Sequence, residues 1–395
     1  MRSVSLPSMK VLLVHNRYQH AGGEDRVFDD EAVLLEKAGY TVKRLQLSND
    51  DIGGTFDKVR TAAKATYSLE GKKLVAEAIE SFAPHVMHVH NFFPKFSPSI
   101  FDAARNAGVA SVLTLHNFRI ACANGTLFRN GQQCQLCIGN APFQAIRHKC
   151  YRNSMLGSAA LATMIASHRA LGTWEEKVNR FIVLSSSARQ VFARSGIPEE
   201  KMAIKPNSIR DPETPIVAPR ERKHYLYVGR LSPEKGADIL VNAWNGRSEP
   251  LLVFGDGPER DRLAASSGAS IAFMGHQPSA KVAEAIAYAR AVIVPSLCHE
   301  MFGLVAAEAM AAGTPVIASA SGSLEDIVVN DKTGFLVEPG NPAQISGAVA
   351  KLSSDALVER LGMDGRTRYE ENYTASHSLD VLGRVYRDAL ASLAK

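Results

Sequence analysis

Long apolar runs are missing from this chain. Its longest apolar-rich stretch, residues 155–171, is interrupted by Ser158, Thr163, Ser167, His168 and Arg169, and falls short of the roughly 20 apolar residues that span a bilayer. The opening MRSVSLPSMK lacks the apolar centre of a signal peptide, so the sequence predicts a cytoplasmic protein. Cysteine is sparse, five in 395 residues, which excludes a disulfide framework. Neither sign of charge dominates: 45 Lys and Arg stand against 40 Asp and Glu, a formal charge of +5. A duplex-DNA binder concentrates far more positive charge on one face, so no nucleic-acid partner is expected; phosphorylated substrates or anionic lipid fit the mild basicity at least as well. Internal repeats and low-complexity segments are absent. What is there, 46% hydrophobic and 22% charged residues, is a globular composition, and the length suggests two to three domains at about 150 residues each.

Short apolar runs alternate with helical spacing. Residues 10–15 (KVLLVH) read as a buried parallel strand. A polar loop over 16–25 follows, then a helix over 26–38 with Val27, Phe28, Val33, Leu34 and Leu35 at helical spacing, closed by Gly39. Further strands are expected at 41–47, 86–90, 109–115 and 180–184, and in the second half at 225–228, 251–254, 270–273, 291–294 and 315–318. Strand–helix alternation implies parallel sheets with right-handed crossovers. The pattern stops over 205–223, where Pro206, Pro212, Pro215 and Pro219 fall in a polar, charged stretch, the best linker candidate. The expected architecture is α/β: two doubly wound domains facing across a cleft, with ligands outside the carboxyl ends of the strands.

The second half carries the most specific chemistry. Gly229-Arg230-Leu231-Ser232-Pro233-Glu234-Lys235-Gly236 follows the strand at 225–228. It places two cations, Arg230 and Lys235, beside a helix start, which suits a pyrophosphate. Glu300-Met301-Phe302-Gly303-Leu304-Val305-Ala306-Ala307-Glu308 follows the run 291–295. Glu308 lies in an apolar, Ala-rich segment, where a carboxylate is costly unless paired; ribose hydroxyls are donors that would satisfy it. Glu300, with Phe302-Gly303, can present a carboxylate and backbone N–H groups to a ligand. The plain alternatives are ordinary surface charges in a solvated turn for Arg230 and Lys235, a helix-cap charge for Glu300 and a salt-bridged surface residue for Glu308.

The Gly229–Gly236 loop, the Glu300–Glu308 pair and Phe254-Gly255-Asp256-Gly257-Pro258 together resemble the retaining glycosyltransferases of the GT-B fold, family 4 (group 1). The resemblance covers nearly the whole chain. It implies two Rossmann-like domains: 1–206 on the acceptor side, 207–374 binding the nucleotide sugar, and a C-terminal helix over 375–395 returning to the first. It implies that Arg230 and Lys235 hold the donor diphosphate, that Glu300 contacts the donor sugar, and that Glu308 binds the ribose. Phe302, Gly303 and Leu304 then offer backbone to the sugar and phosphates, and Phe273-Met274-Gly275 meets the base, with Met274 at its centre. In the first half, Gly22 and Gly23 of Ala21-Gly22-Gly23-Glu24 would approach the donor phosphate and reacting centre, since closely spaced backbone amides cradle anions. His116 would support placement of the transferred sugar, and His90 would line the acceptor side. Expected catalytic residues are thus His116, Glu300, Arg230 and Lys235. The donor is a UDP- or GDP-linked sugar, the acceptor a glycan or lipid-linked molecule, and the reaction needs no catalytic metal. One departure stands out: the family's interdomain P-N-G-V-D signature is here Pro206-Asn207-Ser208-Ile209-Arg210.

Two features lie outside that pattern. Cys122, Cys134, Cys137 and Cys150 fall within an insert spanning 117–152, and the central C-x-x-C has structural-zinc spacing. A zinc staple is the leading expectation; an iron–sulfur cluster, a redox pair Cys134/Cys137 and four unligated thiols are the alternatives. Arg147, His148, Lys149 and Arg152 precede the stretch ending at Leu171, a pattern that suits peripheral contact with the inner face of the membrane or an ordinary packed helix. Rival functions are a nicotinamide dehydrogenase, a GT-B phosphorylase or epimerase, and a non-catalytic sugar-nucleotide sensor. Gly255-Asp256-Gly257-Pro258-Glu259-Arg260 lacks the third glycine of a dinucleotide fingerprint, which argues against the first.

Overall fold

The computed structural model describes residues 9–19, 22–50 and 64–393; Ala21 lies outside the described residues. In chain order the strands are β1 (Lys10–Arg17), β2 (Thr41–Ser48), β3 (Val86–Asn91), β4 (Ala110–Leu115), the short β5 (Phe128–Arg129) and β6 (Gln132–Gln133), β7 (Arg180–Val183), β8 (Met202–Ile204), β9 (His224–Val228), β10 (Leu251–Phe254), β11 (Ile271–Gly275), β12 (Ala289–Val294), β13 (Val316–Ser319) and β14 (Gly334–Val337). Among the described residues they form two six-stranded sheets, ordered β2-β1-β3-β4-β7-β8 and β11-β10-β9-β12-β13-β14, and one antiparallel hairpin, β5-β6. Every pairing in the two large sheets is parallel.

The reason is legible in the strands. β3 and β4 are buried at every position and β1 at its six central ones, as expected when helices cover both faces of a parallel sheet. The edge strand β11 alternates instead, leaving Ala272 and Met274 exposed. In each sheet the chain reverses its winding next to the first strand: between β1 and β3 in one, between β9 and β12 in the other. Beyond the carboxyl ends at such a reversal a doubly wound sheet leaves a crevice for a ligand.

Two compact units result. One comprises Met1–Leu127, Gln135–Pro206 and Ser378–Lys395; the other comprises Phe128–Cys134 and Asn207–His377. The last helix, Ala375–Ser392, is tied into the first unit by the Tyr386 hydroxyl on His88 Nδ1 (2.9 Å) and by Asn179 Nδ2 donating to Ser392 Oγ (2.9 Å). Residues 205–218 lie outside helices and strands, and two charges in and beside that stretch are buried. Lys205 pairs with Glu31, and Arg222 donates to the carbonyls of Val217, Ala289 and Gly313 and to Thr314.

The structure gives no support to the expected four-cysteine zinc site. Among the described residues the ligand atoms that converge in a group of three or more belong to Glu31, His88 and His90, not to Cys122, Cys134, Cys137 and Cys150. Cys122, Cys137 and Cys150 stand on separate backbone turns. Cys122 closes a turn on Phe118, Cys150 one on Ala145, and Cys134 leaves the hairpin that clusters with the other unit. No described cysteine is in a disulfide.

Candidate active site

In the second unit, β9 delivers the loop 229–236 to the point where the sheet reverses. Its shape is fixed from below. Gly229 N–H donates to Phe254 O (3.0 Å) and Leu231 N–H to Asp256 O (2.9 Å), while Tyr227 hydroxyl donates to Arg230 O (2.9 Å). A Cβ at Gly255 would lie 1.9 Å from Gly229 O, and its φ is +136°, so this glycine lets two loops touch backbone to backbone. With the backbone anchored, the Arg230 side chain stands exposed.

Neighbouring β12 delivers the second loop. Leu297 and Cys298 N–H both donate to Glu234 O (2.9 and 3.2 Å), which zips this loop to the first. Glu300 forms a bridge with Gly322 and is buried, and its Oε1 accepts from Lys235 Nζ at 2.6 Å and from Ser296 Oγ at 2.5 Å. Burial works against the Lys235 ammonium, yet Glu300 outweighs it and holds the lysine pKa above its ordinary value. The Cys298 thiol is pushed up by burial and then by Glu300, so it stays protonated and inert. Lys235 and Glu300, 65 residues apart, are thus brought together. Phe302 stacks edge-on against Tyr373 (6.0 Å), Gly303 opens the helix Leu304–Ala311, and Glu308 sits half-buried on that helix. Gln133 Nε2 donates to Ser321 Oγ (2.7 Å), whose hydroxyl donates to Cys298 O (2.6 Å). The hairpin therefore supports the Glu300 loop.

In the first unit, Gly22 precedes the helix Gly23–Lys37. Its N–H donates to Asp25 Oδ2 (2.9 Å), and Asp25 Oδ1 meets His15 Nε2 (2.8 Å). Burial opposes the Asp25 charge, but the bonds from His15 and Gly22 hold its pKa below the usual range. Among the described residues, no atom beyond its chain neighbours lies within 4 Å of a Cβ built at Gly22, and its φ is −128°. The backbone conformation at this position is open to any residue.

His116 follows β4 and is partly exposed. Its Nε2 is 3.0 Å from His90 Nδ1; His90 Nε2 is 3.1 Å from Glu31 Oε1; Lys205 Nζ is 2.8 Å from Glu31 Oε2. His90 is buried in this chain and lines no surface, which corrects its expected place on the acceptor side. Glu31, His88 and His90 have the spacing of metal ligands, but their atoms are already engaged. His88 lies between Thr114 Oγ1 (2.7 Å) and Tyr386, and the Lys205 ammonium supplies the compensating charge. A second cluster joins Tyr18, Glu24 and Asn117: Glu24 Oε2 accepts from Tyr18 hydroxyl (3.0 Å) and Asn117 Nδ2 (3.3 Å), while Oε1 is buried with no hydrogen-bond partner among the described residues. Burial raises the Glu24 pKa to about 7 against the pull of Tyr18 and Arg119.

Reading the sequence alone missed Glu31, Lys205, Tyr18 and Ser296. Glu31 had a signal: it stands four residues after Val27 and four before Leu35, on the buried stripe of its helix.

Known proteins support one picture. The family described as Glycosyl transferases group 1 matches residues 212–375. The phosphatidyl-myo-inositol mannosyltransferase of Mycobacterium leprae is 32% identical over 321 residues, 76% of this chain and 80% of that protein. The D-inositol 3-phosphate glycosyltransferase of Acidothermus cellulolyticus is 32% identical over 238 residues, 52% of each. Among solved structures, sucrose-phosphate synthase from Thermosynechococcus elongatus superposes with a TM-score of 0.69 at 21% identity, covering 97% of this chain and 100% of its own. Anabaena HepE with UDP-glucose gives 0.65 at 16%, covering 95% and 99%.

Proposed function

The chain belongs to the group 1 glycosyltransferases and has the GT-B fold, and on that premise we propose that it transfers a hexose, with retention of anomeric configuration, from a UDP- or GDP-linked sugar to a glycan or lipid-linked acceptor in cell-surface polysaccharide or glycoconjugate synthesis. The observation that carries this reading is the Lys235–Glu300 contact at 2.6 Å where the second sheet reverses. An ion pair at a ligand crevice is a resting state with a partner to exchange. Donor diphosphate displaces Glu300 from Lys235 and recruits the exposed guanidinium of Arg230, which grips it bidentately. Glu300, released, accepts a hydrogen bond from a sugar hydroxyl. Glu308 takes the ribose hydroxyls, Phe302-Gly303-Leu304 lend helix-start N–H groups, and Met274 on the edge strand meets the base. Gly22, Gly23 and His116 serve the transferred sugar and the acceptor.

As the sugar–oxygen bond breaks, negative charge grows on the leaving diphosphate. Arg230 and Lys235 are donors already in place for it. The acceptor proton passes to a departing phosphate oxygen while the sugar has oxocarbenium character. HepE was solved with UDP and with UDP-glucose, which supports a nucleoside-diphosphate donor. Phe143, Met155 and Leu156 are exposed in the segment that holds Arg147, Lys149 and Arg152, which supports a peripheral, lipid-facing acceptor side.

The test is transfer from a panel of sugar nucleotides with NMR of the product anomer. Lys235→Ala is expected to abolish thermal protection by UDP or GDP. Glu300→Ala is expected to keep that protection and lose transfer. Near-normal turnover in both variants, or an inverted anomer, would overturn the reading.

A further inference from the structure

The chain Lys205–Glu31–His90–His116 runs through the interior of the first unit with 2.8, 3.1 and 3.0 Å steps. With His90 as the neutral imidazole, its protons follow from donor and acceptor chemistry. Lys205 is a donor without acceptor capacity, and a carboxylate only accepts. Glu31 Oε1 therefore receives N–H from His90 Nε2. A neutral imidazole carries one N–H, so His90 Nδ1 is an acceptor. His116 Nε2 must then be the donor across the 3.0 Å contact, which leaves the lone pair of His116 on Nδ1. We propose that Glu31, His90 and Lys205 are positioning residues that fix His116 as the Nδ1-acceptor tautomer, so that it accepts a hydrogen bond from a hydroxyl of the transferred sugar and donates none. This rests on the function proposed above.

Burial, then the neighbouring His90, pushes the His116 pKa well below the ordinary histidine value; burial and His90 do the same to His88. Glu31 is held well below the carboxylate range by Lys205 and the two histidines despite its burial. The other groups packed around the relay are Thr114 and Tyr386 on His88 and the His15–Asp25 pair; the His15 ring stacks on Phe28, and His90 packs edge-on against that same ring. A second lysine-bound carboxylate serves the donor in the other unit; this one serves orientation.

Glu31→Gln is the sharp variant. Lys205 demands an oxygen on its side, so the amide NH2 must face His90. His90 then accepts at Nε2, donates from Nδ1, and drives His116 to the opposite tautomer. A carboxylate-to-amide swap behind a histidine can cost about 10⁴-fold in turnover by this route. Nitrogen-15 NMR of histidine-labelled protein, with His116→Gln to assign the peaks, reads the tautomer directly. In the unaltered protein His116 is expected to show a bare Nδ1 and a protonated Nε2. In Glu31→Gln the two exchange, and kcat falls about 10²-fold or more while the donor KM changes little. A protonated Nδ1 in the unaltered protein overturns the proposal even if the variant fails to fold. So does an unchanged tautomer in a folded variant, or a switched tautomer with normal kcat. If the unaltered protein transfers no sugar, the function falls while the tautomer is still read.

Discussion

Each unit holds one buried glutamate paired with a lysine, and the two pairs differ in who else can reach them. Lys205 and Glu31 have side chains 2% and 4% exposed, and the glutamate's other oxygen is taken by histidines. Lys235 is 33% exposed, against 11% for Glu300. The distances are nearly equal, 2.8 and 2.6 Å. Distance therefore does not tell a structural pair from a ligand-ready one; the access of a third partner does. A sealed pair costs desolvation that only its own members offset, whereas an open one can trade its carboxylate for a phosphate.

The contrast can be broken from either side. Lys205→Met leaves the Glu31 charge buried without its ammonium and should cost about 3–5 kcal/mol of unfolding free energy, read by denaturant titration. Lys235→Ala should lower turnover about 10²-fold or more, the loss of one oxyanion donor, while its denaturation midpoint moves little because water reaches the site. If the two variants behaved alike in stability, the distinction would be wrong. Gly22→Ala sharpens the comparison: among the described residues nothing beyond its chain neighbours meets the methyl group, so unchanged melting with turnover down about 10-fold, roughly 1.4 kcal/mol, would place the glycine's purpose in ligand approach.

The smallest effect concerns Glu24. Its pKa is about 7 in the folded chain, against 4.5 as the ordinary value. Between those values the native state binds more protons than the unfolded one, so this group's contribution to stability is present below pH 4.5 and is lost as pH rises through 7. Glu24→Gln should leave the melting temperature unchanged at pH 4.5 and raise it at pH 8 by a few degrees, the equivalent of about 1 kcal/mol.

Much of this was legible beforehand, and for physical reasons. Buried parallel strands must be apolar, so 10–15, 86–90 and 291–294 announced themselves. Strand β8 has three residues, the last exposed, and β14 opens on a glycine, so neither presents a sustained apolar run. Arg230, Lys235 and Glu300 sit in compact loops, where local spacing carries the information. The Glu31 relay does not: its members come from a helix, two strand ends and residue 205, and only folding joins them. His88 and His90 stand two apart on one strand face, a hint that pointed to a pair without revealing its purpose. The cysteines taught the reverse, since metal-like spacing along a chain says nothing about convergence in space.

The Tyr386 hydroxyl on His88 Nδ1 ties the order of synthesis to the order of assembly. A ribosome releases β3 some 300 residues before that tyrosine, so throughout translation the histidine interior lacks one of its hydrogen-bond partners. The first unit is begun early and completed last. Cutting the chain between Pro206 and Asn207 to make two separate pieces should therefore yield an amino-terminal fragment that stays loose until a peptide covering Ala375–Ser392 is supplied in trans.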